Sequence, residues 1–215
     1  MRLNLRILRS IIIPPVILTL ILILASVLVS LGILYYTQAT HLEGDLLRFE
    51  NQFVEMKLPK NWYGTPMEYN FESSGKTFSA IIFDPSKIVY IGLSIFDETS
   101  TETFLNNCKL TDARSVINYE VNMTYYEIRK NSENATLVFI ENGTKMVSGY
   151  EAEYSVYKIL DGYVENDVPK NISYMMLSYF HNQKLVQIAY WGSEEYFDSS
   201  LQEIEIFISN LRVKT

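Results

Sequence analysis

The chain is poor in the residues that build metal and redox centres. Its 215 residues include one cysteine and two histidines. A single thiol, Cys108, excludes an internal disulfide framework and any multi-thiolate zinc or iron–sulfur site. His41 and His181 are too few for a histidine-built metal centre. Basic residues are scarce as well: 18 Lys and Arg face 25 Asp and Glu, a net charge of −7. Nucleic-acid surfaces need clustered Lys and Arg, so this balance argues against that class of partner.

Charge is missing altogether from Ser10 to Thr40, and Ile11–Tyr36 is nearly all Ile, Leu, Val and Ala. About 20 apolar residues in a helix cross roughly 30 Å of hydrocarbon. Residues 11–36 are therefore expected to form a transmembrane signal-anchor in membrane lipid. Tyr35 and Tyr36 close the run, where tyrosine suits the membrane–water interface. Arg2, Arg6 and Arg9 precede it, and Glu43 and Asp45 are the first charges after it. The positive-inside rule then puts residues 1–10 in the cytoplasm and the rest outside. A cleaved secretory signal would carry a shorter apolar region, about 7–15 residues.

Residues 37–51 read as a polar stalk or a helical extension of the span, and 52–215 as one extracytoplasmic domain. Asn122, Asn134, Asn142 and Asn171 each open an Asn-x-Ser/Thr sequon, which fits an exported glycoprotein. Setting aside the three N-terminal arginines leaves 15 bases against 25 acids, a net charge of −10. Such a surface stays soluble and is repelled by anionic head groups.

Period-2 patterns dominate the exported part. Val54, Met56 and Leu58 alternate with Glu55 and Lys57, as in a half-buried strand. Thr77–Phe83 is a strand stopped by Asp84-Pro85, and Lys87–Phe96 is apolar on both faces, as a covered central strand is. Thr99 and Glu102 have capping-box spacing and predict a short helix from about Ser100. Ile117, Tyr119, Val121, Met123 and Tyr125 alternate with polar residues and predict a strand, facing Tyr150 and Tyr154. Asn142-Gly143 is a hairpin-turn signal between Thr136–Glu141 and Lys145–Leu160. His181-Asn182-Gln183 reads as a second tight turn, between Ile172–Phe180 and Lys184–Trp191. Phe197, Leu201, Ile204, Ile208 and Leu211 mark one buried stripe of a closing helix. The fold class is α+β, a mostly antiparallel sheet with packed helices.

Two segments sharpen that expectation. Phe53–Trp62 (Phe53-Val54-Glu55-Met56-Lys57-Leu58-Pro59-Lys60-Asn61-Trp62) resembles the opening strand of PsbP-like domains, which runs into a P-x-x-W turn. The tyrosine-rich meander Tyr174–Phe180 and Leu185–Trp191 and the closing phrase Phe207-Ile208-Ser209-Asn210-Leu211 are similar too. The resemblance covers roughly Phe49–Val213. It implies an α/β/α sandwich around an antiparallel sheet and a non-catalytic exported protein. With the anchor, the sequons and the acidic, Tyr-rich composition, it looks most like archaeal PsbP-related proteins. No ligand residue carries over.

Catalytic motifs fail at defined positions. Gly75-Lys76-Thr77 ends like a phosphate-binding loop, but Asn70 stands where that loop needs Gly. Gly92-Leu93-Ser94-Ile95-Phe96 ends in Phe instead of the Gly of a nucleophile elbow, and its Ser94 would need a histidine base such as His181 in a solvated turn. Asp161, Glu165 and Asp167 share a loop over 161–171 and could begin a Ca2+ site, since hard cations take six to eight oxygen ligands. Acidic loops are more commonly just solvated. Trp62 and Tyr63, with Tyr126, Tyr157 and Tyr163, are candidate protein-contact residues because Tyr and Trp are enriched at interfaces. Trp62 under its turn reads first as a core residue. The sequence thus supports a membrane-tethered, non-catalytic module that assists a membrane or cell-surface protein complex. The alternative is a small-molecule or Ca2+ receptor domain.

Overall fold

The computed structural model describes residues 40–43, 46–59, 61–71, 75–84, 86–165 and 168–214. The expected span over 11–36 lies outside them. Among the described residues no helix is long and apolar enough to cross a membrane.

Two antiparallel sheets organise the fold. The small sheet has the order β1-β2-β3-β11, with β1 Thr40–Glu43, β2 Leu46–Glu50, β3 Val54–Pro59 and β11 Arg212–Val213. The large sheet has the order β4-β5-β6-β10-β9-β8-β7. Its strands are β4 Tyr63–Phe71, β5 Gly75–Asp84, β6 Val89–Phe96, β7 Thr136–Val147, β8 Tyr150–Glu165, β9 Val168–His181 and β10 Lys184–Ser193. Helices α1 (Glu98–Cys108) and α2 (Ala113–Asn131) follow β6, and a single turn α3 (Glu194–Phe197) and α4 (Leu201–Asn210) follow β10.

The inner face of the large sheet carries Phe78, Ala80 and Ile82 of β5, Val89, Ile91, Leu93 and Ile95 of β6, and Val186, Ile188 and Tyr190 of β10. They share one buried cluster with Phe49, Val54, Met56 and Leu58 of the small sheet and Ile204, Phe207 and Ile208 of α4. The expected sandwich is therefore altered: helices α1 and α2 cover one face, while a second sheet joins α4 on the other. Phe49 is fully buried on β2, so the folded domain reaches back into the expected stalk, where β1 and β2 form a hairpin.

The P-x-x-W turn closes as anticipated. The Trp62 amide donates to the Pro59 carbonyl at 3.0 Å and its indole is buried. Buried Asp84 anchors this turn, accepting from Asn61 Nδ2 at 3.2 Å and from the Ser86 hydroxyl at 2.6 Å.

Four expectations are corrected. The strand read over Ile117–Tyr125 is the middle of α2. Asp112 caps that helix, accepting from the Ser115 amide at 2.7 Å, while the Ser115 hydroxyl accepts from the Asp112 amide. This reciprocal cap and the stripe Ile117–Val121 outweigh the β-branched composition. Asn142-Gly143 lies inside β7, and the hairpin instead turns at Ser148-Gly149, both with positive φ (54° and 85°). Gly143 is there for space, since a Cβ on it would meet the Tyr154 ring at 2.9 Å. The loop over 161–171 is the outer part of the β8–β9 hairpin, bulged between Ile159 and Tyr163. The first helix also starts earlier than Ser100, because Asp97 caps it by accepting from the Ser100 amide at 2.8 Å.

Candidate functional site

The helix-bearing face of the large sheet is ordered in rows, because side chains alternate along a strand and antiparallel register aligns them across it. One row is aromatic across all seven strands: Tyr63, Phe83, Tyr90, Trp191, Tyr174, Tyr157 and Phe139 are consecutive register partners. The Tyr90 and Trp191 rings stack at 5.5 Å, and Tyr174 lies 6.4 Å from Trp191. Four residues along, a polar row runs Ser79, Ser94, Gln187, Ser178. Between them lie the small residues Gly92 and Ala189, paired with each other.

Small residues between two taller rows leave a trough, and α2 walls one side of it. Glu120, Thr124 and Ile128 recur every four residues, so they share one helical line. The result is a cleft of about 500 Å³ whose floor is Gly92 and Ala189. Trp191 closes one end: a Cβ on Gly92 would stand 3.1 Å from its ring. At the other end Gln187 Nε2 donates to Glu120 Oε1 at 3.3 Å. Burial raises the Glu120 carboxyl above its usual range, and the Gln187 hydrogen bond offsets this only in part. Burial likewise pushes the Tyr174 phenol up to about 12, against a hydrogen bond from Thr124. Its hydroxyl also contacts the Met176 sulfur at 3.7 Å.

Helix α2 is fixed in place by Arg114. Its guanidinium donates to the Tyr154 carbonyl at 2.9 Å, the Ser155 hydroxyl at 2.8 Å and the Gly143 carbonyl at 3.1 Å, and it pairs with Glu153. Ile117 and Val121 then pack on Tyr157, Tyr174 and Met176. These contacts hold α2 against the sheet beside the cleft.

The residues singled out from sequence are scattered. Asp161 and Glu165 lie on β8, and Asp167 is outside the described residues. Glu165 faces Lys170 at 4.0 Å, and the Asp161 amide donates to Asn171 Oδ1 at 3.2 Å. Among the described residues no three His, Cys, Asp or Glu gather as a metal site. Trp62 and Tyr157 are buried and offer no contact surface, Tyr163 is half-buried, and Tyr63 and Tyr126 are 55% and 57% exposed. Asn122, Asn134 and Asn142 are exposed, whereas Asn171 is half-buried and donates to Glu194 at 2.8 Å. His181 is buried, not solvated. It meets Tyr150 edge-on at 4.4 Å, and burial lowers its pKa, with Lys184 adding to the shift. It alternates on β9 with Met175, Leu177 and Tyr179 of the inner face, while Ser94 is on the outer face. The two cannot meet as nucleophile and base.

Sequence reasoning did not find Glu120, Gln187, Trp191 or Arg114. In the sequence Trp191 has only the signature of a strand residue, and Glu120 sits in an alternation that mimics a strand but is a helix.

No family model and no curated protein matches the chain. Solved structures similar to it include cyanobacterial PsbP (CyanoP) of Synechocystis, at 15% identity and a TM-score of 0.48, covering 80% of this chain and 94% of that one. A protein of Bacteroides thetaiotaomicron matches at 14% identity and TM-score 0.37, over 75% of this chain and 45% of its own. LpqN of Mycobacterium tuberculosis, described as involved in cell envelope biogenesis, matches at 9% identity and TM-score 0.39, over 75% and 83%.

Proposed function

We propose that the chain is a membrane-tethered, non-catalytic, extracytoplasmic module of PsbP-like type that takes a small ligand in the cleft between α2 and the large sheet. The cleft is the observation that carries this reading. Ligand sites are typically concave, mostly apolar and about 300–1,000 Å³, with a few convergent polar groups. Here Glu120, Gln187, Thr124 and Ser94 converge on a floor and walls of Ala189, Trp191, Tyr174 and Ile128. The uncharged run over 11–36 supplies the tether. Saturation-transfer NMR with a neutral aryl alcohol, 4-phenylbutan-1-ol, tests the cleft. Wild-type protein transfers saturation and Ala189→Phe, which fills the trough, does not. Equal transfer by both overturns the reading. Protease added to intact cells tests the tether: it digests the domain if the head lies outside.

A second reading, docking on a membrane or cell-surface complex, is favoured by one feature. The outer edge strand β7 exposes Phe139, Ile140 and Met146, at 54%, 46% and 61%. Met146→Asp would then remove a co-purifying partner that the wild type retains.

A further inference from the structure

We propose that the cleft is a slot for an elongated primary amine, with its ammonium at Glu120 and its apolar chain running toward Trp191. This rests on the cleft being the ligand site. The slot has a direction. Gln187 and Trp191 are four residues apart on one face of β10, about 13 Å at roughly 3.3 Å per residue. Glu120 and Ile128 are eight residues apart on α2, about 12 Å at 1.5 Å per residue. The two walls therefore match in length, and both grade from polar to apolar in the same sense.

The polar end is rich in acceptors. Gln187 spends its amide N–H on Glu120, so its carbonyl oxygen is free to accept. Ser94 lies beside it, bonded at 3.2 Å to Ser79. Among the described residues, Glu120 is the only Asp, Glu, Lys or Arg that lines the slot. An ammonium, with three donors and no acceptor, matches this end, and a carboxylate is repelled by it. The half-buried carboxyl is already disfavoured as an anion by burial, and a bound cation would offset that cost. The far end is formed by Trp191, Ile128, Ile159, Ile172 and the Tyr174 ring, among which an alkyl chain fits.

Titration of the full chain in lipid nanodiscs tests this, with empty nanodiscs subtracted and Trp191 fluorescence as readout. Trp62 is buried within the inner-face cluster and serves as a constant background. The probes are hexylamine, hexan-1-ol and hexanoate. Hexylamine is expected to bind at least tenfold more tightly than hexan-1-ol, with hexanoate weakest. Glu120→Gln should remove that tenfold preference of hexylamine over hexan-1-ol. If hexan-1-ol binds wild type as tightly as hexylamine, or if Glu120→Gln keeps the preference, the amine assignment fails while the ligand cleft stands. If none of the three perturbs Trp191 the amine assignment fails, and if Ala189→Phe also behaves like wild type toward 4-phenylbutan-1-ol the ligand cleft fails with it.

Discussion

Along β6, Val89, Ile91, Leu93 and Ile95 point to one side of the large sheet, and Tyr90, Gly92, Ser94 and Phe96 to the other. The first set is fully buried beneath β3 and α4. The second is half-buried beneath two helices that leave a trough. The same strand thus builds a closed apolar layer and an open, graded surface 180° apart. Burial of apolar area stabilises by about 25 cal/mol per Å² whatever the shape. The second face departs from what burial alone would select through a glycine under an indole and a half-buried carboxyl lining a cleft. That departure is the reason this face is proposed as the working face.

The contrast makes substitutions fall in a definite order. Phe207→Ala, in the closed layer, should cost about 3–5 kcal/mol, because it leaves a cavity in addition to the lost transfer energy. Denaturant unfolding measures it, and a cost near 1 kcal/mol would dissolve the contrast. Arg114→Ala should come next, at about 1.5–3 kcal/mol for charge-assisted bonds between α2 and the sheet. Its signature is faster amide exchange in α2 than in β6, and uniform exchange would mean that Arg114 does not hold α2 in place.

Asp112→Ala should cost about 1 kcal/mol through the lost N-cap. The backbone hydrogen bond from Ser115, its largest cause, holds the Asp112 carboxyl below its ordinary 3.8. Its contribution is therefore present above pH 3.8 and lost as pH falls through the folded-state pKa. Acid titration of wild type against the variant should show the two stabilities converging.

Glu120→Gln should have the smallest effect on stability and the opposite pH sense. Burial raises the Glu120 pKa above 4.5, so the folded state holds its proton more tightly than the unfolded one. Wild type should be favoured at or below pH 4.5 and lose ground to the variant as pH rises through the raised value. A pH-independent difference would mean that Glu120 is fully solvated.

What was legible in the sequence follows the same division. The closed layer announces itself through strict alternation in Val54–Leu58 and through the stripe Ile204, Ile208, Leu211, since a buried face tolerates only one residue class. The turn at Asn182-Gln183 was readable as well, and both residues adopt positive φ. The open face was not. Its α2 carries an alternation over Ile117–Tyr125 that mimics a strand, and its true start is set by Asp112 and Ser115. The aromatic and polar rows exist only once register is known, because Tyr90, Trp191 and Tyr174 come from strands separated by up to a hundred residues of chain. Bulges at Ile140 and around Asp161 shift that register further.

Amide chemical-shift mapping of the full chain in nanodiscs, titrated with hexylamine, tests the working face most directly. Shifts should concentrate at Gly92, Ser94, Gln187, Ala189 and Trp191 and along Glu120–Ile128 of α2. Shifts confined to the β7 edge around Phe139 and Met146, with the trough silent, would contradict it.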